Sequence, residues 1–168
     1  MKVAGSVVVV TGGASGLGRA SVEKLVAAGA KVAIFDFNEA AGEALVAALG
    51  DSVIFKKVNV ADEDSVQAAI AETAAHFGAI HVCINYAGIG SAMKTLGKNG
   101  VFPLAEFNRV LQVNLVGTFN VLRYAAEQMA KNEIVDGERG VIINTASIAA
   151  YEGQIGQAAY SASKGGVV

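Results

Sequence analysis

Cysteine, proline and excess charge are all scarce in this chain. Its single cysteine, Cys83, excludes an intrachain disulfide and favours a reducing compartment, the cytoplasm. Thirteen Lys and Arg against fifteen Asp and Glu leave a formal charge of −2, with no basic block of the kind that tracks nucleic acid. One proline in 168 residues, 53% of them apolar, excludes disorder and describes one globular domain with a full core. No segment approaches the ~20 apolar residues of a membrane span. Met1–Val10 carries one lone positive charge, an apolar run broken by Gly5-Ser6, and no cleavage region, so it reads as a buried strand and not as a signal peptide. Internal repeats, low-complexity tracts and linkers are absent, and no metal site is expected.

What the chain does have is glycine, twenty of them, and a strict alternation of elements. Short β-branched runs at Val7–Thr11, Lys31–Asp36, Val53–Val58, His81–Asn85 and Val141–Thr145 are nearly continuous in apolar character, as strands buried on both faces are. Between them the spacing predicts helices over Gly16–Ala28, Asn38–Leu49, Asp62–Phe77 and Leu104–Lys131, the third with Asp62 as N-cap and Gly78 as its stop. Such alternation predicts an α/β fold: a doubly wound parallel sheet in three α/β/α layers, with right-handed crossovers. Ile89–Pro103 and Asn132–Gly140 read as long irregular loops, a length usually tied to function.

The first strand runs directly into Thr11-Gly12-Gly13-Ala14-Ser15-Gly16-Leu17-Gly18 and then a helix. Glycines placed there let the backbone turn tightly and lie against a pyrophosphate, whose charge meets the helix N-terminus. The second strand ends in Asp36, eighteen residues beyond Gly18, where an acid accepts hydrogen bonds from ribose hydroxyls. Like charge would repel the 2′-phosphate of NADP, so the expected cofactor is NAD. Arg19 is expected to point toward the start of its own helix, away from that phosphate.

Tyr160 and Lys164 lie four residues apart in the helix-compatible stretch Ala158–Gly166 and so share a face. Phenols titrate near 10, so a tyrosine that moves protons at neutral pH needs a fixed positive charge beside it. Lys164 would supply that charge. Ser147 follows the fifth strand, at the carboxyl end of the sheet where ligands bind, and its hydroxyl could hold a substrate oxygen.

Taken in order, T-G-x-x-x-G-x-G at 11–18, Asn85-Tyr86-Ala87-Gly88, Asn114, Ser147 and Tyr160-x-x-x-Lys164 resemble the short-chain dehydrogenase/reductase family. The block from Gly140 to Gly166, with the two loops Lys94–Gly100 and Lys131–Gly140, is similar within that family to the type 2 3-hydroxyacyl-CoA dehydrogenase group. The resemblance implies Tyr160 as acid/base, Lys164 as its tuner and ribose ligand, and Ser147 as the anchor of the substrate oxygen. It implies Asn114 as holder of a water that links Lys164 to solvent. It further implies Gly12, Ser15, Gly16, Leu17 and Gly18 around the pyrophosphate, Asp36 on the ribose, Asn59 and Val60 beside the adenine, and Asn85, Tyr86, Ala87 and Gly88 along the dinucleotide. The partners implied are a small acyl-CoA or similar secondary alcohol and further copies of the chain. The copies would form a homotetramer in which the helix Leu104–Lys131 meets its mates and Gly117 permits close approach. Neither nucleic acid nor a membrane is among the expected partners.

Two positions depart from the family pattern. Asn59 stands where an aspartate is usual, so its amide carbonyl is expected to take over a weaker adenine contact. Tyr86 stands where asparagine is usual and is expected to pack on the adenosine. The sequence stops at Val168, four residues past Lys164, whereas family members continue with two further strands. The expectation is therefore a single NAD-binding domain over residues 1–168, cut short after the Tyr-x-x-x-Lys motif, with its fifth strand left as an open edge. Alternatives to a hydroxyacyl-CoA dehydrogenase are a 3-oxoacyl-carrier-protein reductase, another alcohol or steroid dehydrogenase, and a non-catalytic nucleotide-binding fragment.

Overall fold

The computed structural model describes residues 1–168. Five parallel strands, β1 (Val7–Thr11), β2 (Lys31–Asp36), β3 (Val53–Lys57), β4 (Val82–Asn85) and β5 (Val141–Asn144), form one sheet in the order β3-β2-β1-β4-β5. Six helices flank it: α1 (Gly16–Ala27), α2 (Glu39–Leu49), α3 (Glu63–Phe77), α4 (Leu104–Leu111), α5 (Gly117–Met129) and α6 (Ala158–Val167). The long β-branched run explains the centre of this arrangement. All five β1 residues are buried; Val8 and Val10 join Val22, Leu45 and Ile34 on the α1–α2 side, while Val9 joins Val66, Ile70 and Val121 on the α3–α5 side. A strand with an apolar layer on each face is the physical content of the three-layer expectation. The doubly wound α/β architecture is therefore as expected.

The ends of the elements follow local chemistry. Asp62 accepts a hydrogen bond from the Ser65 N–H at 2.7 Å and so caps α3, which stops at Gly78 with φ 88°. Asn38 caps α2 through the Ala41 N–H at 3.2 Å. Strand β5 pairs only with β4, leaving its other side an open edge with Ile143 exposed.

Three stretches differ from the sequence expectation. The helix expected over Leu104–Lys131 is divided into α4 and α5 by a five-residue π turn, Gln112–Val116, which continuous apolar spacing conceals. The loop Ile89–Pro103 contains a small hairpin in which Leu96–Gly97 pairs with Gly100–Val101, Gly100 supplying φ 104° for the tight turn. Asn132–Gly140 folds around an Asp136-Gly137 turn closed by Val135 and Glu138. No helix is long and apolar enough to cross a membrane.

Candidate functional site

A cleft of about 830 Å³ opens at the carboxyl end of the sheet, between the glycine loop, the ends of β2, β3 and β4, helix α4, and α6. The glycine loop forms its floor. Gly12 has φ 63° and lies so close to the β4 end that a Cβ would approach the Ala87 nitrogen to 3.0 Å. A Cβ on Gly18 would lie 2.1 Å from the Gly12 carbonyl oxygen, so only glycine lets α1 start against the loop. Ser15 takes the N-cap position of α1 without bonding its own helix, and the first turn carries no acidic residue. The positive end of the helix and its free N–H groups thus face the cleft. Leu17 projects from the same turn with 70% of its surface exposed.

Asp36 closes one side. Its two carboxylate oxygens accept the N–H groups of Ala14 and Asn38, each at 3.0 Å, tying the glycine loop to the entry of α2. Arg19 turns the other way from the expected direction: its Nε donates to Glu23 one turn further along α1, at 2.8 Å. It is an i,i+4 ion pair on an exposed face, with no part in the cleft.

Beyond Asp36 lie Asn59 and Val60. Gly117 brings α5 against this loop, since a Cβ there would come within 2.6 Å of Val60 Cγ2. The close approach expected between subunits at Gly117 is therefore one within the chain. Asn120 completes the clamp by donating to the Val60 and Asp62 carbonyls at 3.0 and 3.2 Å.

The residues after β4 divide into wall and support. Tyr86, Ala87 and Gly88 line the cleft, as do Ile89 and Gly90. The Tyr86 hydroxyl accepts from Ser21 Oγ at 3.0 Å, which braces its ring against α1. Asn85 is buried and absent from the cleft wall; its amide donates to Asn144 Oδ1 at 2.9 Å, joining β4 to β5. The expected cofactor contact of Asn85 is thus replaced by a strand-to-strand tie, because β4 turns its side chain into the sheet end. Thr11 has the companion role: its hydroxyl accepts the Ala87 N–H at 3.1 Å.

Asn114, fully buried in the π turn, also serves as support. Its Oδ1 accepts the Ile89 N–H and its Nδ2 donates to the Ile89 carbonyl, both at 2.8 Å, as a neighbouring strand would. The second amide hydrogen goes to Ser163 Oγ at 3.0 Å. Every hydrogen-bonding position of the amide N–H groups is used, so Asn114 joins the β4 loop to α6 and does not reach the cleft with its side chain.

Helix α6 brings the last group. Lys164 Nζ donates to the Thr145 carbonyl at 2.6 Å and lies 5.9 Å from the centre of the Tyr160 ring. Burial holds the Lys164 ammonium below the ordinary lysine range. Tyr160 lines both the main cleft and a second one of about 510 Å³, which it shares with Ser147, Gly90, Ser91, Ala92 and Gln157. Ser147 Oγ accepts the Ala149 N–H at 3.2 Å. The structure thus brings Tyr160 and Lys164 to the glycine-loop cleft, and Tyr160 and Ser147 to its neighbour.

Phe37, Arg109, Val113 and Thr145 also line the main cleft and were not singled out in the sequence. Thr145 was within reach of sequence reasoning, as the residue ending the fifth strand two before Ser147. Arg109 and Val113 carry no local signal, since α4 and the π turn after it bring them there only through packing.

A parallel sheet with a glycine loop at its first crossover and a Tyr–Lys pair in one cleft defines a Rossmann-type α/β protein of the dehydrogenase kind. Comparison with known proteins agrees: residues 6–168 match the model of the short chain dehydrogenase family. The chain belongs to that family. It is 52% identical over 169 aligned residues to human 3-hydroxyacyl-CoA dehydrogenase type-2, covering 99% of this chain and 65% of the human protein. The rat protein of the same name is 52% identical over the same shares of each chain. A crystal structure of 3-hydroxyacyl-CoA dehydrogenase type-2 from Mycobacterium avium superimposes with a TM-score of 0.89 at 42% identity, covering 96% of this chain and 64% of that one. The chain thus spans a little less than two thirds of the length of the relatives it matches.

Proposed function

We propose that residues 1–168 form one NAD-binding domain carrying the catalytic groups of an oxidoreductase that interconverts a 3-hydroxyacyl-CoA and a 3-oxoacyl-CoA. The observation that carries this reading is the placement of Tyr160 and Lys164. They lie on α6 in the cleft that Gly12, Gly18 and Asp36 shape, and Tyr160 also faces Ser147 across the second cleft. Relatives named for that reaction support the choice of substrate. The residues present fit a dinucleotide, since Gly12 and Gly18 leave backbone where any Cβ would collide, and the α1 N-terminus stands open to a pyrophosphate.

A nicotinamide dinucleotide held in this cleft would supply the hydride chemistry at the substrate carbon that bears the oxygen. The chain's own groups do the rest. Gly12, Ser15, Gly16, Leu17 and Gly18 would hold the pyrophosphate side, and Asp36 would accept from the adenosine ribose. Ser147 donates to the substrate oxygen and fixes its position. The Tyr160 phenolate takes the hydroxyl proton in oxidation and gives it back in reduction. Lys164, anchored by Thr145, holds its ammonium 5.9 Å from the centre of the Tyr160 ring, on the side of the same cleft. Asn114 positions α6 relative to the β4 loop. Desolvation makes each of these electrostatic effects larger than it would be in water.

Cytoplasmic location and a homotetramer belong to the same reading. Cys83, free and buried, supports the first. The exposed Leu104 and Phe119 on α4 and α5 support the second. The test is oxidation of (S)-3-hydroxybutyryl-CoA by the purified protein with NAD. Production of NADH is expected, with at least a ~1,000-fold loss of turnover in Tyr160→Phe, in the range for removing a proton-transfer group. NADH binding should stay within severalfold, because only the proton-transfer oxygen is removed. Substantial turnover by Tyr160→Phe would overturn the assignment of the base.

A further inference from the structure

The far end of the cleft, beyond Asp36, is an apolar slot between Val58, Val60 and Val113, with Asn59 as its polar side chain. The hydrogen bonds around Asn59 fix the direction of its amide. Its Oδ1 accepts the Ala61 N–H at 3.1 Å, its main-chain N–H donates to Ser65 Oγ at 3.2 Å, and its main-chain carbonyl accepts the Asp62 N–H at 3.0 Å. Turning the amide over would set NH₂ against the Ala61 N–H, donor against donor. The carbonyl expected to face a base is therefore committed to the loop, and Nδ2 is the free end. The Val60 N–H likewise makes no hydrogen bond within the chain. On this stretch of the cleft lining the Asn59 Nδ2 and the Val60 N–H are thus two donors without a partner in the chain, and Asn120 and Gly117 hold the loop that carries them.

We propose that Asn59 makes this cleft nearly indifferent between 6-amino and 6-oxo purines at the base end of its dinucleotide. A 6-aminopurine edge offers a donor, the amino group, beside an acceptor, N1. A 6-oxopurine edge offers the reverse, an acceptor O6 beside a donor N1–H. Facing two donors, each base finds one partner and one conflict. Replacing Asn59 by aspartate keeps an acceptor for the Ala61 N–H and turns the free end into a second acceptor. Adenine is then matched twice and hypoxanthine not at all. Sites that hydrogen-bond a ligand group reject an analogue that leaves polar groups unpaired far more strongly than they reject a change of size.

The inference rests on the dinucleotide reading above, and its test separates the two. NADH and reduced nicotinamide hypoxanthine dinucleotide are titrated into the purified protein without substrate, binding being followed by nicotinamide fluorescence. The parent is expected to bind the two within ~10-fold of each other. Asn59→Asp should favour NADH by ~100-fold or more, at about tenfold for each contact exchanged. Asn59→Ala, which removes the conflict with adenine and the partner for O6, should fall between them. A merely structural role for Asn59 would weaken both ligands together and leave the ratio unchanged, which would overturn the proposal. So would a parent that favours NADH by more than ~10-fold. Failure of both ligands to bind the parent would overturn the dinucleotide reading, and this inference with it.

Discussion

Replacing Gly18 by alanine adds one methyl group, and the structure says where it goes. The new Cβ would lie 2.1 Å from the Gly12 carbonyl oxygen, 2.8 Å from its carbon and 2.9 Å from Gly13 Cα. Non-bonded heavy atoms settle at ~3.5–4.0 Å, so the glycine loop has to retreat by more than ~1 Å from α1. The atoms in the way are backbone, and no rotamer change relieves them. Overpacking of this kind costs ~1–3 kcal/mol, which in a chain this size lowers Tm by ~2–12 °C. The larger effect is on binding, because the retreat moves the backbone proposed to carry the pyrophosphate. A misplacement near 1 Å is worth ~100-fold, and the Kd for NADH should rise by about that factor. Gly78→Ala is the control. Gly78 ends α3 with φ 88° and open space around it, so alanine there costs ~1–2 kcal/mol of conformational strain far from the cleft. Thermal unfolding and fluorescence titration of both variants separate stability from binding. Gly78→Ala should melt early and bind normally. NADH binding by Gly18→Ala within ~3-fold of the parent, in a folded protein, would refute the placement of the pyrophosphate on this loop.

Asp36→Ala should narrow the preference for NAD over NADP in parallel titrations, by removing the charge that faces the 2′-phosphate; it should also weaken both ligands, because the Ala14 tether goes with it. An unchanged ratio would count against Asp36 as the selector. Lys164→Met should stop turnover and should give a Tm difference from the parent that depends on pH, because the chain no longer holds a partly buried ammonium. The sign follows from burial lowering the Lys164 pKa below 10.5: the unfolded chain binds that proton more tightly, so the penalty is present at neutral pH and fades as pH rises toward 10.5. The Tm of the variant minus that of the parent should therefore fall as pH rises through that range, and a rise would contradict it.

The parallel sheet was legible because the strands are almost unbroken apolar runs separated by stretches with helical spacing. Asp62 and Gly78 mark α3 by chemistry that acts within a few residues. The cleft was legible to the same depth, since Gly12 and Asp36 sit at strand ends and Gly18 in the first turn of α1, where backbone geometry narrows the choice of residue. What was hidden depends on contacts distant in the chain. Asn85 and Asn144 are 59 residues apart and meet only because β4 and β5 pair, and nothing near Asn85 says that its amide turns inward. Ser21 and Tyr86 are 65 residues apart, and nothing near Tyr86 in the sequence says that Ser21 holds its hydroxyl. The direction of the Asn59 amide depends on one N–H two residues on, too fine a detail for residue type alone to show.

The π turn at Gln112–Val116 sets apart two kinds of genetic change. Helices take 3.6 residues per turn, so one surplus residue rotates everything beyond it by about 100°. The faces of α4 and α5 are thereby offset, α4 turned to the cleft through Arg109 and α5 to the core through Val121 and Ala125. Substitutions within the turn leave this offset in place. A single-residue deletion would heal the helix into an ordinary one, and would swing either Arg109 away from the cleft or Val121 away from the core. In a lineage descending from this chain, the length of the segment between Leu104 and Met129 should thus be far less free to drift than its composition.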